Sequence, residues 1–207
     1  MQLIKNFING EFVEGSEGKR FDKRSPLDNK VIAQVCEAGK ADVDAAVCAA
    51  HAARNGVWGG LTTDQRVDLL YGVADEITRR FEDFVAAEMA DTGQPNHVMR
   101  HVFIPRGAAN FKVFADVVKN VPSESFQMAT PDGAGALNYA IRVPKGVVGV
   151  ISPWNAPFLL MTWKVGPALA CGNTVVVKPS EETPLTTTLL GEVMNTVGIP
   201  KGVFNVI

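Results

Sequence analysis

The sequence predicts an α/β chain built on a doubly wound parallel sheet, and three observations carry this prediction. Two β-branched apolar runs, 147–151 and 174–177, flank an apolar segment of helical length that ends at Gly172-Asn173. Strands that are buried on both faces of a parallel sheet consist of such continuous apolar runs, and a glycine there supplies the left-handed residue after a helix. A third apolar run, 203–207, follows another helical pattern. Ligands of such sheets bind at the carboxyl ends of the strands.

The N-terminal part predicts a hairpin, a strand and several helices. Asn9-Gly10 lies between two short apolar runs, which is a strong hairpin signal. Residues 30–36 alternate moderately and predict a further strand. Thr62 and Gln65 have the spacing of a capping box at the start of a helix. Apolar residues at helical spacing predict helices over 42–54, 62–79 and 81–91.

Two segments in the middle of the chain depart from simple helical patterns. A helical pattern covers 98–118, but Pro105 lies inside it and predicts a kink or restart that turns Arg106 out of the regular helix surface. Farther on, 126–143 contains two β-capable arms around the turn signal 131–135. An additional hairpin with exposed edges often pairs with another subunit.

Bulk composition excludes several classes of function. The 207 residues are 46% hydrophobic and carry a formal net charge of −2. The chain therefore lacks the excess of basic residues that would suggest nucleic acid or an anionic membrane as a partner. No apolar run is long enough to span a bilayer, and the N-terminus does not resemble a signal peptide. Three cysteines without metal-type spacing indicate a reducing cytoplasm and no metal site.

Polar residues follow two predicted strands directly. Asn155 comes shortly after the first strand, where its amide could stabilise a developing oxyanion or could simply start the turn before Pro157. Lys178 follows the second strand and suits a ribose or a phosphate, and Glu181 suits ribose hydroxyls. The alternative for both is a solvent-exposed charge at a strand end.

These segments carry a resemblance to a known family. Residues 151–155, then 166–173 and 178–181, resemble the aldehyde dehydrogenase superfamily, and the resemblance covers essentially the whole chain. It implies thiolate attack on an aldehyde, hydride transfer to a nicotinamide cofactor and hydrolysis of a thioester. It implies Asn155 as the oxyanion donor. It also implies cofactor contacts by Ile151, Ser152, Pro153, Trp154, Lys178, Ser180 and Glu181. A glutamate on the 2′-hydroxyl would repel a 2′-phosphate, so NAD is expected rather than NADP.

A narrower resemblance concerns the substrate. Residues 104–111 and 128–133 resemble 2-hydroxymuconic semialdehyde dehydrogenases and the related 2-aminomuconic enzymes of aromatic meta-cleavage pathways. In this branch Arg106 would bind the substrate's carboxylate, because guanidinium binds carboxylate bidentately. The alternative is a surface arginine after a helix break. Leu160 and Trp163 would line the substrate tunnel, although such spacing is also typical of core.

Family chains are more than twice this length, so the sequence predicts an N-terminal piece without turnover of its own. The nucleophilic cysteine and the glutamate base would lie elsewhere. We expect an N-terminal part of the NAD-binding domain over 1–125, an oligomerisation hairpin over 126–144 and the first strand–helix–strand units over 145–207. The expected partners are a small-molecule aldehyde and further copies in a dimer or tetramer. Two alternatives remain: a dehydrogenase for another aldehyde, such as betaine or an aliphatic aldehyde, and a non-catalytic interaction module with an aggregation-prone edge at 203–207.

Overall fold

A computed structural model describes residues 2–207, and the order of its elements agrees closely with the sequence pattern. The strands are β1 Gln2–Ile4, β2 Asn6–Ile8, β3 Glu11–Val13, β4 Arg20–Arg24, β5 Val31–Cys36, β6 Ser125–Met128, β7 Ala136–Tyr139, β8 Val147–Ile151, β9 Thr174–Lys178 and β10 Phe204–Val206. The helices are α1 Lys40–Asn55, α2 Val57–Gly60, α3 Thr63–Arg79, α4 Phe81–Thr92, α5 Asn96–Val98, α6 Ile104–Asn120, α7 Pro157–Ala170 and α8 Leu185–Val197. A π-helical turn, Met99–Phe103, joins α5 to α6.

The main sheet has five strands in the order β3-β2-β10-β9-β8. The strands β8, β9 and β10 are parallel, which confirms the predicted strand–helix–strand units. The prediction of an exposed edge at 203–207 is wrong, because β2 pairs antiparallel with β10 through Phe7 and Val206. The side chain of Asn205 reinforces this pairing, since its Oδ1 accepts the backbone N–H of Asn9 at 3.0 Å.

The edge strands of the described main sheet are β3 and β8. Residues Thr174–Val177 of β9 are buried on both faces, as predicted, but β8 is not. Val150 is buried, whereas Ile151 is 74% exposed. The continuous apolar run in β8 was therefore a correct signal for a strand and an incorrect one for burial on both faces in this chain.

Helices cover both faces of the sheet, so the doubly wound architecture is as predicted. On one face, the main core contains large buried side chains from α3, α4, α6, α7 and the sheet, among them Leu70, Phe84, Phe111, Phe158 and Phe204. On the other face, Ala46 and Ala50 of α1 pack against Ile8 and Val176. No helix within residues 2–207 has the length and apolar character that crossing a membrane requires.

Two smaller sheets complete the fold. The strands β1, β5 and β4 form a three-stranded sheet in that order, which confirms the strand predicted at 30–36. The strands β6 and β7 form the hairpin predicted at 126–143, with Ser125 opposite Tyr139. This hairpin exposes large apolar side chains, since Phe126 is 64% exposed and Leu137 is 63% exposed.

Most helix ends lie where local signals predict them. Thr62 and Gln65 form the reciprocal capping box of α3, with N–H···O distances of 3.2 and 2.9 Å. Gly93 and Gly198 end α4 and α8 in left-handed conformations, at φ 65° and 84°. Gly172 does the same shortly after α7, at φ 81°.

The helix around Pro105 restarts but does not break. The π-helical turn Met99–Phe103 leads directly into α6, and Pro105 is the second residue of α6. Arg106 is therefore an exposed residue of a regular helix. The prediction that Pro105 turns Arg106 out of the regular helix surface is wrong, because Arg106 is part of the α-helix into which the π-helical turn leads.

Helices α6 and α7 run parallel and in close contact. A Cβ on Gly107 would lie 2.3 Å from Phe158 Cε1, and a Cβ on Gly166 would lie 3.1 Å from Phe114 Cδ2. Between these two contacts, Asn110 Nδ2 donates to Thr162 Oγ1 at 3.0 Å. The first turns of the two helices therefore lie at the same level, at the end of the sheet where β8 stops.

Candidate functional site

The carboxyl ends of β8 and β9 lie side by side. Ile151 is in register with Lys178, and the backbone N–H of Ser152 donates to Lys178 O at 3.2 Å. The two polar segments that the sequence analysis singled out thus form one edge. Ser152 is 3% exposed, and no residue within 2–207 hydrogen-bonds its Oγ, so a buried polar atom at this edge lacks a partner.

Asn155 occupies the bend between β8 and α7. Its side chain is exposed, and no described residue hydrogen-bonds the side-chain amide. Its backbone is held, because Gln94 Nε2 donates to Asn155 O at 2.7 Å. Beside it, Pro153 is half-buried and Trp154 is 65% exposed. The amide of Asn155 is therefore available to a ligand while its main chain is fixed.

Lys178 and Glu181 form an ion pair at the end of β9. Lys178 Nζ lies 3.2 Å from Glu181 Oε2, and both side chains are more than half exposed. The backbone N–H of Glu181 itself and then the Lys178 ammonium hold the pKa of the Glu181 carboxyl below its usual range. Ser180 is buried, and its Oγ accepts the backbone N–H of Glu182 at 3.3 Å. Ser180 thus shapes the turn that presents the ion pair.

A cavity of about 640 Å³ opens beside this turn, and Lys178, Ser180 and Glu181 contribute to its wall. Its other walls, which the sequence pattern did not predict, include Ile4, Asn6, Phe21, Val35, Cys36 and Ile207. No local spacing links these residues to the turn. Tertiary contacts bring them there, because Phe21, Val35 and Cys36 belong to the three-stranded sheet and Ile207 follows β10.

The three predicted substrate residues lie on α6 and α7. The parallel packing of these helices places Arg106, in the first turn of α6, near the start of α7, where Gly107 contacts Phe158. Arg106 is exposed and has no acidic partner within 4.0 Å among the described residues. Leu160 is half-buried and Trp163 is 49% exposed, so Trp163 is not an ordinary core residue. Farther along α7, Lys164 Nζ donates to Ile151 O at 3.0 Å.

Three buried ionisable residues near the two strand ends were not predicted from the sequence. Glu88 and Asp91 of α4 are 0% and 3% exposed, and Lys23 of β4 is 2% exposed. Burial raises the pKa of Glu88 to about 7, against the opposing effects of the Phe158 amide and the nearby Thr186 hydroxyl. Burial also raises the pKa of Asp91 to about 8, although the Leu185 amide and Lys23 act against it.

Comparison with known proteins gives consistent results. A family model described as the aldehyde dehydrogenase family matches residues 12–207. The chain is 64% identical over all its residues to a 2-hydroxymuconic semialdehyde dehydrogenase from Pseudomonas sp. (strain CF600), of which it covers 43%. It is 57% identical to a 2-aminomuconic 6-semialdehyde dehydrogenase from Pseudomonas sp., of which it covers 42%.

A solved structure, the NAD+ complex of an aldehyde dehydrogenase from Bacillus cereus, superposes with a TM-score of 0.94 at 39% identity. The superposition covers 100% of this chain and 41% of that chain. The chain therefore spans less than half the length of the relatives that it matches.

Proposed function

Because the chain belongs to the aldehyde dehydrogenase family, we propose that it supplies the oxyanion donor and the adenosine side of an NAD-dependent semialdehyde dehydrogenase. The substrate would be a carboxylated semialdehyde of the 2-hydroxymuconic type, oxidised to the acid during the degradation of aromatic compounds. The observation that carries the proposal is that the carboxyl ends of β8 and β9 lie side by side, so that Asn155 lies at the same edge of the sheet as Lys178 and Glu181. In this proposal the thiol nucleophile and the general base come from outside these 207 residues.

Asn155 would act on the aldehyde oxygen. When a thiolate attacks the aldehyde carbon, negative charge develops on that oxygen, and a fixed amide donor stabilises it by about 3 kcal/mol. The hydrogen bond from Gln94 leaves the side-chain amide of Asn155 unoccupied and its main chain in place. Asn155 can therefore donate to the oxyanion without first giving up another partner.

The residues at the strand ends fit the adenosine part of a dinucleotide. The Lys178–Glu181 pair is exposed beside a cavity of about 640 Å³, and the buried hydroxyl of Ser152 has no partner among the described residues. We assign Lys178, Ser180 and Glu181 to the ribose side and Ile151, Ser152, Pro153 and Trp154 to the cleft wall. Bound NAD supplies the hydride acceptor. Glu181 would disfavour a 2′-phosphate by charge repulsion, which favours NAD over NADP.

Arg106 would bind the acidic end of the substrate. Its guanidinium has no carboxylate partner within residues 2–207 and lies at the same end of the helix pair as Asn155. A muconic semialdehyde has a carboxylate opposite its aldehyde, and a bidentate contact with arginine would orient it. Leu160 and the half-exposed Trp163 would form the apolar wall of the tunnel.

The exposed hairpin of β6 and β7 favours assembly with other copies. Its two strands present apolar side chains and unpaired edges, which sheets of neighbouring subunits can complete. We therefore propose a homo-oligomer in which 126–144 is the oligomerisation element, 1–125 belongs to the cofactor-binding domain and 145–207 forms its first strand–helix–strand units. A cytoplasmic location suits the three unpaired cysteines.

A chimera tests this function. Residues 1–207 would be joined to the remaining part of the 64% identical Pseudomonas relative, in register with it. We expect NAD-dependent oxidation of 2-hydroxymuconic semialdehyde, and a loss of kcat of about 100-fold or more in Asn155→Ala. Arg106→Ala should raise KM for the carboxylated substrate about 10-fold or more and leave a neutral aliphatic aldehyde unaffected.

Three results would count against the proposal. A folded chimera without turnover would favour an interaction module that acts through the hairpin. An equal effect of Arg106→Ala on neutral and carboxylated aldehydes would remove the substrate assignment. Turnover above background by the unfused 207-residue chain would show that the nucleophile and base lie within it.

A further inference from the structure

The last turns of α4 contact the beginnings of both helices that follow the candidate site. Glu88 Oε1 accepts the backbone N–H of Phe158, in the first turn of α7, at 3.2 Å. One turn later, Asp91 Oδ2 accepts the backbone N–H of Leu185, the first residue of α8, at 2.8 Å. The first amides of a helix have no partner within the helix. Both carboxyl groups are buried, so water does not compete for these contacts.

Gln94, which follows α4 directly after Gly93, contacts the backbone of Asn155. Gly93 ends α4 at φ 65°, and the chain then turns so that Gln94 Nε2 donates to Asn155 O at 2.7 Å. The backbone N–H of Gln94 in turn donates to Thr92 Oγ1 at 3.3 Å. The end of α4 therefore holds both the bend that carries Asn155 and the start of the helix behind it.

This end of α4 is itself anchored in the three-stranded sheet. Lys23 Nζ donates to Arg24 O at 2.8 Å and to Asp91 O at 3.3 Å, and lies 3.9 Å from Asp91 Oδ1. A Cβ on Gly93 would lie only 3.0 Å from Pro26 Cγ, so the turn after α4 packs tightly on the loop that follows β4. The end of α4, which contacts the starts of α7 and α8, is thus itself held by β4 and the loop that follows β4.

We propose that Glu88, Asp91 and Gln94 are positioning residues that hold the bend at Asn155 and the turn 178–181 in a fixed arrangement. Glu88 acts on the bend at Asn155 through α7, whose first turn it contacts. Gln94 acts on the same bend directly. Asp91 acts on the turn 178–181 by capping the helix that begins just after it. The importance of these two segments rests on the proposed function, but the positioning is a property of the fold and is testable without a cofactor or substrate.

Nuclear magnetic resonance relaxation of the ¹⁵N-labelled 207-residue chain tests the contact at Gln94. In the wild type we expect an order parameter of about 0.85 for the backbone amide of Asn155, and in Gln94→Ala a value below about 0.6. Gln94→Lys, which keeps a donor of similar reach, should restore the wild-type value. Gln127→Ala, in the exposed strand β6, is the matched control and should leave Asn155 unchanged.

The urea midpoint of Gln94→Ala should equal that of the wild type, which separates local positioning from general destabilisation. An unchanged order parameter of Asn155 in Gln94→Ala, or failure of Gln94→Lys to restore it, would overturn the proposal. In Asp91→Ala, exchange of the Leu185 amide should accelerate at least 10-fold. If Asp91→Ala does not fold, the Gln94 variants still decide the question. A chain that fails to bind NAD would count against the proposed function and leave this result intact.

Discussion

Replacing Glu88 by glutamine should remove a destabilisation that grows with pH. The Glu88 side chain is 0% exposed, and burial raises its pKa from 4.5 to about 7. As the pH rises above 4.5, the unfolded chain loses this proton while the folded chain retains it, so the free energy of unfolding falls until about pH 7 and then levels off. At about 1.4 kcal/mol per pH unit, the total loss from this carboxyl group is about 3 kcal/mol.

Glutamine has the shape of glutamate and keeps an oxygen that can accept the Phe158 amide, but it does not ionise. Glu88→Gln should therefore match the wild type near pH 4.5 and exceed its free energy of unfolding by up to about 3 kcal/mol at pH 8. Asp91, whose pKa burial also raises, is present in both proteins, and the charge of Glu88 raises the pKa of Asp91 further in the wild type alone. The difference between the curves thus reports mainly on Glu88.

The assay is urea unfolding at pH 5, 6, 7 and 8, followed by circular dichroism. Glu124→Gln provides the matched control, because Glu124 is exposed and should give a curve parallel to that of the wild type. Parallel curves for the wild type and Glu88→Gln over this whole range would refute the reasoning.

Two further substitutions test the packing around the site. Gly107→Ala places a Cβ 2.3 Å from the Phe158 ring and should lower the free energy of unfolding by about 1–3 kcal/mol. The control is Gly60→Ala, which has open space around it and should leave the free energy of unfolding unchanged. Equal urea midpoints for the two variants would contradict the close approach of α6 and α7. Trp58→Phe removes the donor of a buried 3.0 Å hydrogen bond to a backbone carbonyl and should cost about 1–3 kcal/mol. An unchanged thermal midpoint of Trp58→Phe would show that this bond is dispensable.

Local signals predicted the elements of the fold, but not the order of the main sheet. Asn9-Gly10 gave the N-terminal hairpin, and Thr62 with Gln65 gave the start of α3, because each signal acts within a few residues. The pairing of Phe7 with Val206 depends on contacts between the two ends of the chain, for which no local pattern exists. The sequence pattern therefore predicted an exposed edge at β10, whereas the edge strands are β3 and β8.

Only the part of the candidate site at the ends of β8 and β9 was predictable from the sequence. Polar residues at or shortly after the ends of parallel strands, such as Lys178 and Asn155, are expected to lie near one another because the strand ends lie at one edge of the sheet. The buried ionisable residues that pack against these strand ends and the helices after them were not predictable. Glu88 and Asp91 look like ordinary surface acids of a helix, and they are buried by tertiary contacts with α7, α8 and β4. Lys23 is similar, since it lies in a strand rich in charged residues and is buried by tertiary contacts alone.

Titration of the ¹⁵N-labelled chain with NAD tests most directly whether the joined strand ends form a cofactor site. We expect saturable shifts of the backbone amides of 151–155 and 178–181, with weaker effects from NADP and a loss of that preference in Glu181→Gln. Shifts confined to other parts of the folded chain, or none at these two segments at millimolar NAD, would contradict the assignment.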